Sequence, residues 1–263
     1  MKAGMLNKFV APEFVCGEGA HRLVGRYASN LGGKRVLLVT DPGVIAAGHA
    51  ASVGDVLEEV GVDHVLFDGV SENPRVNEVA EGARLFCAEG CNALVAVGGG
   101  SPMDCAKGIV VVAGTGRPIE EFEGVDRIDR PGPPLLCVPT TAGSSADVSQ
   151  FAILSSPGRR LKFAIISKSI VPDVSLLDPD LLCTLPPRLT GSTGLDALTH
   201  AVEAYVSTGA SPITDLFALS AIRRLATFLP LAVQHPGNAV YRNETMLASL
   251  EAGLAFSNAS LVA

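Results

Sequence analysis

Short apolar runs alternate with stretches of helical hydrophobic spacing over the first half of the chain. The runs are rich in Val, Leu and Ala, and turn-forming residues follow them, as they do after buried strands. The predicted strands are 35–40, 62–67, 93–97 and 135–138. The helical patterns that follow the first three strands extend to about residue 60, over 76–89 and to about residue 112. This alternation predicts a parallel sheet that helices cover on both faces.

The pattern loosens in the middle of the chain. Residues 117–134 are rich in charged residues, Gly and Pro, and this composition predicts a loop. Further on, the apolar runs 151–154 and 161–166 flank Pro157-Gly158. Two such runs separated by a short turn-forming segment predict a hairpin.

From about residue 186 the hydrophobic spacing is helical throughout. Prolines cluster just before this change, which indicates a boundary between two units. We therefore predict an α/β fold. A parallel-sheet, Rossmann-like cofactor domain covers residues 1–184, and an all-α domain follows over residues 185–263.

The last segment, 244–263, is apolar and finishes on Leu261-Val262-Ala263. It has no capping glycine, no basic last turn and no polar tail, which are the usual marks of a helix end. An apolar ending of this kind has nothing yet to pack on. We therefore expect the chain to be truncated, with its helical domain incomplete.

Composition and charge narrow the classes of function. The chain has 263 residues, of which 48% are hydrophobic and 18% are charged, and its net charge is −7 with a pI of about 5.2. An acidic chain without basic runs is unsuited to nucleic acid and to anionic membrane surfaces. We find no signal peptide and no uninterrupted apolar run of the roughly 18–20 residues that span a bilayer. The six cysteines are scattered, which favours reduced thiols and a cytoplasmic location.

A glycine-rich turn, Gly98-Gly99-Gly100-Ser101, ends the third predicted strand and opens a helix. Glycines let the backbone approach a ligand closely and adopt positive φ, and the helix N-terminus behind them suits a pyrophosphate. A tight turn without a ligand would use the same residues. The usual dinucleotide fingerprint lies after the first strand, with an acidic residue about 20 positions later. Here the candidate acid, Asp41, precedes the glycines, so a cofactor would be bound by a different arrangement.

Three further polar features have both a functional and a structural interpretation. Asp41 either binds an adenosine ribose, which disfavours a 2′-phosphate, or initiates an Asp-Pro-Gly turn. Asp104 suits the positive end of its helix or the nicotinamide side of a cofactor. The hydroxyl-rich loop with Thr140, Thr141 and Ser144 either binds a cofactor or is a capped turn.

Asp196 and His200 are four residues apart in a helical segment, so they share one face of the helix. A carboxylate oxygen and an imidazole nitrogen placed in this way could hold one divalent cation. The alternative is an ordinary hydrogen bond between the two side chains on the helix surface. The spacing alone leaves both open.

Together these segments resemble the iron-containing (group III) alcohol dehydrogenase family. The matching segments are TDPG at 40–43, ENP at 72–74, GGGSPMDCAK at 98–107, PTTAGSSAD at 139–147, TGLDALTHAVEAY at 193–205 and GLAFSNASL at 253–261. They cover nearly the whole chain in the order of the family. The resemblance implies an α/β cofactor domain and a helical domain, with the active site in the cleft between them.

The resemblance also implies roles for individual residues. The residues that it assigns to the cofactor are Asp41, Asn73, Gly98, Gly99, Gly100, Ser101, Asp104, Thr140, Thr141, Ser144 and Lys162. Asp196 and His200 match two of the family's four metal ligands and are the expected catalytic and metal-binding pair. The other two ligands are histidines that lie beyond the last matching segment in the family, so this chain is expected to carry half of a metal site.

The implied activity is NAD-dependent hydride transfer between a primary alcohol or aldehyde and the cofactor, assisted by Fe²⁺ or Zn²⁺. Two alternatives remain open at this point. One is a relative of the glycerol dehydrogenase or dehydroquinate synthase type. The other is an inactive fragment that still binds NAD. The resemblance further implies a homo-oligomer, with a small molecule and no macromolecule as the substrate.

Overall fold

A computed structural model describes residues 8–260 of the chain. The predicted apolar ending at Leu261-Val262-Ala263 and the first seven residues lie outside this range.

The centre of the molecule is a six-stranded sheet in which all neighbouring strands are parallel. The strands in chain order are β1 (Glu13–Cys16), β2 (Arg35–Val39), β3 (Asp63–Phe67), β4 (Ala93–Gly98), β5 (Gly124–Val125), β6 (Leu135–Pro139), β7 (Phe151–Ser156), β8 (Leu161–Ile166) and β9 (Val174–Leu177). The order across the sheet is β1-β9-β6-β4-β2-β3. Strands β5, β8 and β7 form a separate small sheet, in which β7 and β8 make the predicted antiparallel hairpin.

Five helices flank the large sheet and three form a bundle after it. The helices are α1 (Val24–Asn30), α2 (Pro42–Ala46), α3 (His49–Glu59), α4 (Val76–Ala88), α5 (Gly100–Thr115), α6 (Pro187–Val206), α7 (Pro212–Gln234) and α8 (Ala239–Ala259). The predicted parallel sheet, the hairpin and the helical second half are therefore confirmed. The division into domains at 184/185 stays a prediction; the last strand ends at Leu177 and α6 begins at Pro187.

The structure differs from the sequence prediction in three places. The helix predicted up to residue 60 is two helices, because Gly48 takes a left-handed conformation (φ 82°) between α2 and α3. Strands β1 and β9 were not predicted, since each has only four residues and too little sequence to show a period. The predicted loop 117–134 contains a 3₁₀ turn over Ile119–Phe122 and the short strand β5.

Alternating residues of the central strands pack into two separate cores, one on each face of the sheet. Leu37 of β2 belongs to the core beneath α4 and α5, together with Val79 and Ile109. Its neighbour Leu38 belongs to the core beneath α1 and α3, together with Val53. The sheet is thus covered on both sides, which explains why its strands are apolar without alternation.

Helices α6, α7 and α8 pack closely because small residues lie along their contacts. Ala197 and Ala201 of α6, Ala221 of α7, and Ala248 and Ala252 of α8 are all fully buried in one cluster. Small side chains let helix axes approach one another, since little volume separates the backbones.

Helix α7 is the one helix among residues 8–260 that is long and apolar enough to cross a membrane by length and composition, with a mean hydropathy of 1.6 over 18 residues. The sequence has no uninterrupted apolar run of that length. The two results differ because α7 also contains Asp215, Arg223 and Arg224. It packs between α6 and α8, as a helix of a folded bundle does.

Lys107 is fully buried at the middle of α5, where a charged side chain is unusual. Its Nζ donates hydrogen bonds of 2.7 Å to the carbonyl oxygens of Ser149 and Phe151. Desolvation lowers the pKa of Lys107, and the charges of Asp104 and Asp147 oppose that change. These hydrogen bonds therefore hold the middle of α5 against residues 149–151, where β7 begins.

We predict that Lys107→Met lowers the free energy of unfolding by about 2–4 kcal/mol, because it leaves two carbonyl oxygens without a donor while it keeps the length of the side chain. Urea denaturation measures this change. The matched control is Lys34→Met at an exposed position, with an expected change below about 0.5 kcal/mol. A loss at Lys107 no larger than at Lys34 would contradict the role given to this ammonium group.

Candidate functional site

The carboxyl ends of β2 and β4 lie side by side at the point where the order of the sheet reverses. After β2 the chain moves to β3 on one side, and it then returns to β4 on the other side of β2. Ligands of open α/β sheets bind in the crevice outside the strand ends at such a point. The segments that follow these two strands begin with Thr40-Asp41 and Gly99-Gly100.

A cleft of about 350 Å³ opens there. The residues that line it include six of the predicted cofactor residues: Asp41, Gly99, Gly100, Ser101, Thr140 and Thr141. Its other wall comes from His49 of α3 and from the segment Thr184-Leu185-Pro186 that leads into α6. The cleft therefore lies between the sheet and the start of the helical bundle.

Asp41 caps the start of a helix, and its side chain also borders the cleft. Its position is therefore compatible with both a turn-forming and a ribose-binding role. Its Oδ1 accepts a hydrogen bond of 3.0 Å from the N–H of Val44 and so caps α2. The side chain is half-buried and borders the cleft. It also borders a neighbouring groove that contains Asp68 and Glu72, so this part of the site is rich in carboxylates.

Only one residue of the glycine-rich turn has the positive φ that the sequence suggested for all three glycines. Gly98 has φ 147°, whereas Gly99 has φ −86° and is the N-cap of α5. Gly100 is needed for a different reason, which is close approach. A Cβ at Gly100 would lie 2.6 Å from Ser144 Oγ, so a side chain there would push the loop after β6 away. No side chain caps α5, which leaves its first N–H groups directed toward the cleft.

A second cleft, of about 190 Å³, lies on the other side of Gly100 and Ser101. It brings together Asn73, Asp104 and Lys162, which are far apart in the sequence. Lys162 Nζ donates a hydrogen bond of 2.6 Å to Asn73 Oδ1. Asn73 has φ 58°, a left-handed conformation that Asn tolerates better than most residues. Ser101 borders both clefts, so together they form one continuous groove across the turn.

Burial raises the pKa of Asp104 to about 6. The charge of Lys107 and a hydrogen bond from the N–H of Ile153 oppose this effect. A carboxyl group that titrates near neutral pH in a cleft is a candidate for interaction with a ligand. Its charge at this point of the groove therefore changes between pH 5 and 7.

Asp196 and His200 lie on α6 with His200 Nε2 at 3.8 Å from Asp196 Oδ1. The ring of His200 packs against Phe256 of α8 with 4.7 Å between centroids, and Phe256 in turn contacts Phe151 at the start of β7. The Nδ1 atom of His200 is buried without a hydrogen-bond partner. The two side chains therefore share one face of α6, as the sequence spacing predicts, and the His200 ring lies against α8.

The pair has the right kind of donors for Fe²⁺ or Zn²⁺, but too few of them. Two donors that bind one ion at about 2.1 Å lie roughly 3–3.5 Å apart, which is close to the observed separation. The ring nitrogen that would share an ion with Asp196 Oδ1 is His200 Nε2, whereas the nitrogen without a partner is Nδ1. Within residues 8–260, however, no group of three or more His, Cys, Asp or Glu side chains is placed to hold a metal ion.

The loop after β6 connects this groove with the helical bundle. Gly143 packs against α6 so closely that a Cβ there would lie 2.8 Å from Thr193 Cβ and 2.9 Å from the Thr193 carbonyl oxygen. Ser145 Oγ donates a hydrogen bond of 2.6 Å to the Ser249 carbonyl oxygen of α8. A movement of the bundle would therefore move this loop, which in turn contacts the glycine turn.

The structure places most of the predicted site residues along the groove, and their roles remain predictions. Two of the predicted cofactor residues line neither cleft, and the predicted metal pair Asp196 and His200 lines neither of them either. Gly98 lies beneath Pro102, and Ser144 packs against Gly100 and supports the turn from behind. His49, Thr184 and Leu185 line the first cleft and were missed, because no local motif marks a wall that two distant segments build.

Comparison with known proteins identifies what the chain is similar to. Residues 11–179 match the model of the family described as iron-containing alcohol dehydrogenase. Residues 190–263 match the C-terminal model of the Fe-containing alcohol dehydrogenase family. The residues between the two matches, 180–189, include most of the connection from β9 to α6 and the first turn of α6.

Individual relatives agree with the family match. Alcohol dehydrogenase 4 of Schizosaccharomyces pombe is 42% identical over 99% of this chain and 62% of its own length. The NAD-dependent methanol dehydrogenase of Bacillus methanolicus is 37% identical over 98% of this chain and 68% of its own length. A crystal structure of 1,3-propanediol oxidoreductase superposes with a TM-score of 0.96 at 40% identity, and covers 98% of this chain and 68% of that one. The chain thus spans about two thirds of the length of these relatives.

We predict that Gly143→Ala destabilises the protein by about 1–3 kcal/mol, because the new methyl group would collide with the backbone of α6. Thermal unfolding followed by circular dichroism measures the loss. Gly158→Ala is the matched control, since a Cβ at Gly158 meets no atom within 4 Å and its φ is not positive. Equal stability of the two variants would show that the contact between the loop and α6 is looser than described.

Proposed function

We propose, since the chain belongs to the iron-containing alcohol dehydrogenase family, that its groove binds NAD and that the whole protein transfers hydride between a primary alcohol or aldehyde and this cofactor. The observation that carries the proposal is the meeting of Asp41 with Gly99, Gly100 and Ser101 in one cleft at the switch point of the sheet. Relatives described as a NAD-dependent methanol dehydrogenase and a 1,3-propanediol oxidoreductase support it.

The two clefts suggest how the cofactor lies. The adenosine ribose occupies the first cleft, where the free oxygen of Asp41 accepts hydrogen bonds from its hydroxyl groups. The pyrophosphate lies over Gly99-Gly100-Ser101, where the uncapped N-terminus of α5 supplies N–H donors. The nicotinamide end extends into the second cleft, beside Asp104 and Lys162.

The charges of the groove favour NAD over NADP. Asp41, Asp68 and Glu72 surround the groove beside the ribose position. A 2′-phosphate there would lie among carboxylates and be repelled.

We further propose Asp196 and His200 as two of the ligands of an Fe²⁺ or Zn²⁺ ion. Such an ion, when bound, acts as a Lewis acid that lowers the pKa of an alcohol or polarises an aldehyde. The part of this chain in the reaction is to hold the nicotinamide ring in place and to offer these two donors on the facing helix. The aromatic pair Phe151 and Phe256 keeps water from one side of His200.

One observation favours a second candidate function, a unit that binds NAD without turning over alcohols. Residues 8–260 supply two candidate ligands and no group of three. A two-ligand site holds a divalent ion weakly. In this case NAD binding persists and NADH production from alcohols is absent. The homo-oligomer that the resemblance implies and the cytoplasmic location that the scattered cysteines favour also remain predictions.

The test of NAD binding is a fluorescence titration with NADH. We expect Asp41→Ala to weaken NADH binding about tenfold, because the ribose hydroxyls lose a charged acceptor. NADPH binding should weaken less or improve, because the repulsion of its 2′-phosphate falls. Asp63→Ala is the matched control, since Asp63 begins β3 and so lies at the amino ends of the parallel strands, whereas Asp41 lies beyond their carboxyl ends. Unchanged NADH affinity in Asp41→Ala would remove Asp41 from the site.

The titration of Asp104 gives a separate prediction. We expect the affinity ratio of NAD⁺ to NADH to rise about three- to tenfold as the pH passes upward through 6, because the ionised carboxylate attracts the cationic nicotinamide ring. Calorimetric titrations of both forms between pH 5 and 7.5 measure the ratio, and Asp104→Asn should make it independent of pH. The same slope in wild type and Asp104→Asn would assign the effect to another group.

A further inference from the structure

His49 is the first residue of α3, and its ring forms part of the wall of the first cleft. The residue is 8% exposed, so a polar ring is nearly enclosed beside a ligand cleft. His49 Nε2 and Thr184 Oγ1 share a hydrogen bond of 2.8 Å. This bond joins a helix of the sheet domain to the segment that leads into the helical bundle.

Thr184 is held from two sides. Its hydroxyl also donates to the carbonyl oxygen of Leu181 at 3.2 Å, so it is anchored to its own segment as well as to His49. Thr184, Leu185 and Pro186 line the cleft opposite Asp41. The position of these three residues therefore fixes the width of the cleft at the end where Asp41 lies.

A second polar pair, His21 and Asp178, contacts the same helix α3. His21 Nδ1 lies 2.5 Å from Asp178 Oδ2, and Asp178 is fully buried. His21 Nε2 reaches Ser52 Oγ on α3 at 3.3 Å, so this pair also holds α3 in place. Burial alone would raise the pKa of Asp178, but hydrogen bonds from His21 and from the N–H of Asp180 hold it below its ordinary value.

The surroundings keep His49 uncharged at neutral pH. Burial lowers the pKa of His49, the nearby imidazole of His21 lowers it further, and a hydrogen bond with the backbone of Leu181 acts in the opposite direction. Because the one hydroxyl proton of Thr184 goes to the carbonyl oxygen of Leu181, the neutral imidazole of His49 donates from Nε2–H to Thr184 Oγ1.

We propose that His49 is a positioning residue for the adenosine end of the cofactor, because its hydrogen bond to Thr184 sets the distance between α3 and the wall formed by Thr184-Leu185-Pro186. The proposal rests on the proposed NAD site and goes beyond it in assigning a residue that no local motif marks. When the bond is absent, the wall moves independently of Asp41. Binding must then fix the wall at an entropic cost, and affinity for the adenosine part of the ligand falls.

The test uses ADP, which contains the adenosine and pyrophosphate parts of the cofactor but no nicotinamide, so its binding does not depend on a metal ion. Calorimetry measures its affinity for wild type and for His49→Phe, Thr184→Val and the double variant. We expect each single variant to bind ADP about five- to tenfold more weakly. The double variant should lose no more than either single variant, because all three lack the same bond.

Conservative variants separate positioning from packing. His49→Gln places an amide near the position of Nε2, and Thr184→Ser keeps the hydroxyl, so both should bind ADP within about twofold of wild type. His49→Phe keeps the volume of the ring, so a role in packing alone would leave its affinity unchanged, and that result overturns the proposal. Additive losses in the double variant would also overturn it.

Two controls keep the outcome decisive. His235→Phe changes a histidine at the end of α7, outside the cleft, and should leave ADP affinity unchanged. If His49→Phe does not fold, Thr184→Val decides, because it leaves α3 intact. Wild-type protein that is folded but does not bind ADP would refute the proposed NAD site itself. If wild-type protein binds ADP and neither His49→Phe nor Thr184→Val lowers the affinity, only the role of His49 is refuted.

Discussion

The structure depends on the close contact between the turn that opens α5 and the loop that follows β6. Gly100 has no Cβ, so Ser144 packs directly against the backbone of the turn. On its other side the same loop meets α6 at Gly143, where Thr193 fills the space that a side chain would need. One loop thus determines both the shape of the proposed cofactor groove and the position of the helical bundle against the sheet. A larger residue at either glycine would separate layers that must touch.

This arrangement explains why the polar residues lie where they do. The strands end at one edge of a sheet that is apolar on both faces, so its C-terminal edge is the place where ligand-binding groups can gather without entering a core. Lys107 is the exception, because it is a charged residue inside a core. Its ammonium group donates hydrogen bonds to two carbonyl oxygens, those of Ser149 and Phe151. The bundle adds the second wall of the groove through Thr184 and places Asp196 and His200 on the helix that contacts the loop.

Features that depend on neighbouring residues were predictable from the sequence. The apolar runs of β2, β4 and β6, the hairpin and the glycine turn all have local signatures, and Asp196 and His200 share a helix face by spacing alone. Features that depend on distant segments were not predictable. Strand β9 is too short to show a period, the buried partners of Lys107 lie more than 40 residues away, and His49 meets Thr184 across 135 positions. The resemblance to a family predicted cofactor roles for residues such as Asn73 and Lys162, whose hydrogen bond spans 89 positions, but it did not predict the wall opposite Asp41.

The central claim is that the adenosine of a dinucleotide lies against Asp41 and its pyrophosphate against the glycine turn. A crystal structure of this chain grown with NADH tests that claim most directly. The account predicts ribose hydroxyls within hydrogen-bonding distance of the Asp41 carboxylate and phosphate oxygens at the N–H groups of Gly100 and Ser101. A dinucleotide bound in the reverse direction, with its nicotinamide at Asp41, or bound away from the switch point of the sheet, would contradict it.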